Sequence, residues 1–105
     1  MSVLGELQPN KVFKYFEEIC SIPHGSRNLQ QISDYLVDFA KAHGLKYRQD
    51  EDLNVIIWKD GSKGYEASEP VILQGHMDMV AVKEVDCDKD MEKEGLDLEI
   101  NGDYI

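Results

Sequence analysis

Pro70-Val71-Ile72-Leu73-Gln74-Gly75-His76-Met77-Asp78-Met79-Val80 decides how this chain is read. Val71 to Leu73 is apolar at consecutive positions, the pattern of a central strand covered on both faces. The strand is expected to run from Val71 to Gln74 and to stop at Gly75. A histidine and a carboxylate follow, two residues apart. Alternate side chains of extended backbone share a face, so His76 and Asp78 are expected to point one way and Met77 the other. A metal-binding histidine commonly donates its second ring nitrogen to a carboxylate, which fixes its tautomer and raises its basicity. The pair therefore has the form of a metal ligand and its orienting partner. It equally has the form of a histidine at a strand end and an aspartate in a turn, and His-x-Asp by itself does not choose between them.

Two helices are expected upstream. Pro9-Asn10 starts the first, with proline tolerated in the first turn. Val12, Phe13, Phe16, Ile19 and Cys20 recur at helical spacing as one buried stripe. Pro23 disfavours helical geometry at Ile22, so the helix ends near Ser21. Ile22 to Asn28 reads as a loop in which His24 is a candidate ligand or substrate contact, with an exposed loop histidine the simpler expectation. Asn28 is placed to cap a second helix from about Leu29 to His43, with Gln31 answering it as in a capping box. Leu29, Ile32, Tyr35, Leu36, Phe39 and Ala40 form its core stripe, Gly44 its left-handed stop. His43, in the last turn, suits the helix dipole and reads as structural.

Leu45–Gln49 alternates as a short strand, and Asn54–Lys59 is a β-branched strand. Between them Asp50-Glu51-Asp52 is an acidic turn whose adjacent carboxylates lack the spacing of a calcium loop and read as solvated. Asp60 to Gly64 is rich in breakers but lacks the order of a phosphate loop. After Val80 the chain is acidic and irregular. Leu96–Ile100 alternates as a strand, and Asn101-Gly102 signals a hairpin whose return strand begins at Asp103-Tyr104-Ile105. A hairpin that stops in its second strand is expected of a chain cut from a longer one.

The 105 residues bound the chain to at most one small domain. Twenty-one acidic against 11 basic residues give a net charge of −10, which argues against nucleic acid or an anionic membrane surface as a partner. No apolar run approaches the ~20 residues that span a bilayer, and the N-terminus lacks the basic start and apolar core of a signal peptide. Cys20 and Cys87 form no Cys-x-x-Cys pair and are expected to be free thiols of a cytoplasmic protein.

Four stretches in order carry a resemblance to a known family: Phe16 to Ser26, Ile32 to Leu36 with Phe39-Ala40, Asp52 to Ile57, and above all Val71 to Val80. The chain resembles the start of the M20 family of zinc peptidases, in its cytosolic aminoacyl-histidine dipeptidase branch. The closing Asn101 to Ile105 resembles the segment before that branch's next metal motif.

The resemblance implies an α/β fold: the N-terminal portion of an α/β/α zinc-peptidase catalytic domain, helices packed on a mixed sheet, truncated here. Residues 1–105 would be a single partial domain. It also implies a metallo-dipeptidase acting on small peptides of the Xaa-His type through a water activated by two zinc ions, with cobalt or manganese as substitutes. His76 matches the family's first metal-ligating histidine. Asp78 matches the catalytic-site aspartate that holds that imidazole. The family's other ligands and its general base are expected beyond Ile105, so the isolated chain is expected to lack activity and to bind zinc weakly at best. Arg27-Asn28-Leu29 departs from the Gly-Asn-Glu-like sequence usual in the family at that point. The competing expectation is a non-catalytic α/β module or interaction domain that keeps His76 and Asp78 without using them. Two helices on few apolar strands leave a face uncovered, so a homo-oligomer is expected unless a longer chain covers it.

Overall fold

The computed structural model describes residues 2–105. Two helices, α1 (Asn10–Cys20) and α2 (Gln30–Ala42), precede two strands, β1 (Lys46–Gln49) and β2 (Val55–Trp58). The chain divides into two compact units: the segment up to Ile32 with Asp78–Ile105, and Ser33–Met77.

In the first unit, Pro9 caps α1 and Ser21 ends it, where the proline spacing places both. Its apolar stripe is only partly covered. Cys20 is buried, but Val12 and Phe16 are 61% and 44% exposed. Helical periodicity says which residues share a face, not what covers that face. Leu4 is buried, and the preceding backbone is tied to the helix by Glu17. Glu17 Oε1 accepts from Ser2 Oγ at 2.5 Å, and Oε2 from the N–H groups of Val3 (2.8 Å) and Leu4 (3.2 Å).

Leu96–Ile100 does not form the expected strand. Instead the N–H of Leu96 donates to the carbonyl of Cys20 at 2.7 Å, and Lys89 pairs with Asp97 at 3.0 Å. Alternation allowed a strand there, but no ladder partner lies beside it among the described residues. The Asn101-Gly102 turn does form: Asn101 and Tyr104 exchange both backbone hydrogen bonds around Gly102, whose φ is +63°.

In the second unit, Val37 and Ala40 of α2 are buried beside Ser33. Ser33 Oγ donates to the carbonyl of Leu53 (2.7 Å) and accepts from Gln49 Nε2 (2.8 Å), so the hydroxyl joins the helix to both ends of the hairpin turn. The helix starts at Gln30, two residues past Asn28, which belongs to the first unit and there donates its amide to the carbonyl of Glu92. Gly44 (φ +64°) closes the helix, with the Leu45 N–H returning to the Ala40 carbonyl. The His43 ring stacks on Phe39 at 4.1 Å and donates from Nδ1 to the Phe39 carbonyl, a structural histidine as expected.

β1 and β2 pair antiparallel, with Tyr47 opposite Ile57 and Gln49 opposite Val55. The acidic turn between them is organised, not merely solvated. Asp50 Oδ1 accepts the N–H groups of Asp52 (3.0 Å) and Asn54 (2.8 Å), and Oδ2 accepts the Asn54 side chain (3.0 Å). These bonds, the Asn54 side chain first, hold the Asp50 carboxyl below the usual carboxylate range.

The expected central strand Val71–Gln74 joins no ladder among the described residues, and Val71, Ile72 and Leu73 are 83%, 88% and 93% exposed. A groove of about 600 Å³ separates it from β2, lined by Val55–Lys59 and Pro70–Gly75. The residues have the composition of a buried strand, but burial needs neighbours on both edges and faces.

Candidate metal centre

The segment that carries the candidate pair is reached by a loop from far upstream. Pro23, His24 and Gly25 are buried. Gly25 forms a parallel bridge with Met79. The Met79 N–H donates to the His24 carbonyl (3.0 Å), and the Ser26 N–H donates to the Met79 carbonyl (3.2 Å). A Cβ on Gly25 would lie 2.7 Å from the Ala81 Cβ, so only glycine permits this approach. One turn follows the bridge through Ser26 and Arg27, closed by the Asn28 N–H donating to the Gly25 carbonyl (2.9 Å), and Arg27 takes a left-handed φ of +69°.

His24 corrects the expectation of an exposed loop histidine. It is 8% exposed, and Nδ1 donates to the Ile22 carbonyl at 2.6 Å. Its ring is used to close the turn after Pro23. The sequence signal for that was indirect: a histidine between Pro23 and Gly25 lies where the backbone has few conformations.

Asp78 is half-buried, and its Oδ2 accepts from Ser26 Oγ at 2.6 Å, across 52 residues of sequence. This is the length of a strong hydroxyl–carboxylate bond. Sequence reasoning missed Ser26 as a partner of Asp78, because the bridge that joins them is non-local. His76 is exposed, and Met77 after it is half-buried.

A catalytic zinc takes about three protein ligands and a structural one four. Among the described residues no group of three or more His, Cys, Asp or Glu side chains converges. His24 is spent on the Ile22 carbonyl and His43 on Phe39. Cys20 is buried in α1, where burial and then the Glu17 charge push its thiol pKa up, away from a metal-binding thiolate. The residues present therefore do not by themselves fit a catalytic zinc. Among the described residues no helix is long and apolar enough to cross a membrane.

No family model matches the chain. It is similar to the cytosol non-specific dipeptidase of Escherichia coli (strain K12), at 37% identity over all 105 residues, which is 22% of that protein. Among solved structures it is similar to the aminoacylhistidine dipeptidase of Vibrio alginolyticus, with a TM-score of 0.88 and 35% identity over 94% of this chain and 20% of that one. Both relatives are dipeptidases, and the second, an aminoacylhistidine dipeptidase, bears out the resemblance to that branch and shares the fold of this chain. The chain spans about a fifth of the length of the relatives it matches.

Proposed function

We propose that these residues are one part of a cytoplasmic metallo-dipeptidase that hydrolyses small peptides of the Xaa-His type, and that they are inactive alone. His76 is its first metal ligand and Asp78 the carboxylate that orients the His76 imidazole. The observation that carries the proposal is a likeness to a dipeptidase that runs through all 105 residues, the stretch in which His76 and Asp78 lie. The name of that relative, a cytosol dipeptidase, supports both the compartment and the reaction class. In such a peptidase, two zinc ions (or cobalt or manganese in their place) would activate the water that attacks the peptide carbonyl. The chain contributes one ligand and its positioning partner, which is why the remaining ligands and the general base are assigned to other segments.

The test is hydrolysis of Ala-His and Gly-His, with zinc present, by the protein expressed from the complete reading frame and by residues 1–105 alone. Hydrolysis by the former, abolished in His76→Ala and absent from the latter, is expected. No hydrolysis by the former, or hydrolysis that survives His76→Ala, overturns the proposal.

A further inference from the structure

The role proposed for Asp78 requires a carboxylate held in one orientation. A carboxylate at the end of a two-bond side chain serves as a fixed acceptor only if something fixes it in turn. Ser26 supplies one such contact. Its hydroxyl donates to Asp78 Oδ2 at 2.6 Å. The two residues belong to the same compact unit.

The contact does not depend on a chance rotamer of an exposed serine. The backbone of Ser26 is itself anchored, because its N–H donates to the carbonyl of Met79, the residue after Asp78. The Met79 N–H answers to the His24 carbonyl, two residues before Ser26. Gly25 permits the close approach to Ala81, and the buried His24 ring closes the turn that precedes it. Directly after Ser26 comes Arg27 in the left-handed region, at φ +69°. A non-glycine residue there costs about 1–2 kcal/mol and persists only where its surroundings over-determine it. Every neighbour of Ser26 thus acts to hold one backbone position against residues 78–81.

We infer that Ser26 is a positioning residue for Asp78: its hydroxyl fixes Oδ2 of Asp78, so that the carboxylate holds one orientation. The inference rests on the proposed role of Asp78. Ser26 makes no contact with substrate in this assignment and acts only through Asp78.

The experiment uses the zinc-loaded protein from the complete reading frame, with Xaa-His dipeptides as substrate. Ser26→Ala is expected to lower kcat about 10- to 100-fold, the usual cost of losing an outer partner, with KM little changed. Ser26→Thr, which keeps the hydroxyl, is expected to restore most of that loss, and thermal midpoints are expected to stay together. In an Asp78→Asn background, Ser26→Ala is expected to cost nothing further, since the two act as a unit. Wild-type kcat in Ser26→Ala, no rescue by Ser26→Thr, or independent losses in the double variant would overturn the inference. If Ser26→Ala fails to fold, the Ser26→Thr kcat and a Ser26→Cys comparison decide it in the same way. His76→Ala runs alongside. Activity that survives His76→Ala takes down the reading of the site itself. Activity lost in His76→Ala but untouched in Ser26→Ala takes down only the role of Ser26.

Discussion

Gly25 and Ala81 approach so closely that a single methyl group on residue 25 would sit 2.7 Å from the Ala81 Cβ. That approach lets a loop from before α2 lie against the segment after His76. It is enforced by two backbone hydrogen bonds, Met79 to His24 and Ser26 to Met79.

Gly25→Ala is expected to destabilise the chain by about 2 kcal/mol, the range for forcing an extra methyl into a packed site. The bridge leaves the backbone little room to yield, and the loss is read as a lower urea midpoint at unchanged slope. A stability equal to wild type would show that the loop moves freely away from Ala81.

Arg27→Gly is expected to act in the opposite direction. Arg27 and Leu53 are the described non-glycine residues with positive φ, at +69° and +70°. Relief of the left-handed penalty exceeds the entropy cost of glycine, for a net gain of up to about 1 kcal/mol. Denaturant unfolding of the variant checks this, and a clear loss of stability would contradict it. The departure at Arg27 from the family's usual glycine is thus placed where glycine suits the backbone best.

Glu17 sets an acid-side dependence. The Ser2 hydroxyl foremost, then the Val3 and Leu4 N–H groups, hold its carboxyl below the ordinary glutamate range, against an opposing desolvation effect. A carboxyl lowered in the folded state stabilises fully above its unfolded pKa and loses that contribution as pH falls through the folded pKa. Wild type is therefore expected to be more stable than Glu17→Gln at pH 7, with the gap closing towards pH 3. A gap independent of pH would contradict the assignment.

Val71, Ile72 and Leu73 lie open beside the groove that faces β2. A contiguous apolar patch with an unpaired edge favours association. Residues 1–105 alone are expected to self-associate with rising concentration in light scattering, and Leu73→Lys is expected to reduce it. A monodisperse wild-type monomer across the range would contradict this.

What was legible in the sequence was local. Pro9 and Pro23 mark the two ends of α1 and Gly44 the end of α2, while alternation places β1 and β-branching places β2. The missed features depend on distant partners. Val71–Gln74 has a strand's composition without a ladder, and Leu96 pairs with a helix end. Ser33, an unremarkable polar residue in the α2 pattern, is fully buried because Leu53 and Gln49 satisfy its hydroxyl. At the candidate site, His76 and Asp78 could be singled out by spacing, whereas His24 and Ser26 gain their places only through the bridge to Met79.

Under the proposed function, residues 1–105 would hold one ligand of a larger metal site. Bound zinc after exhaustive dialysis tests it most directly. The protein from the complete reading frame is expected to keep about two zinc ions per chain, as a two-metal site would, His76→Ala to lose metal, and residues 1–105 alone to keep none. Stoichiometric zinc retained by residues 1–105 alone, or undiminished by His76→Ala, would contradict the account.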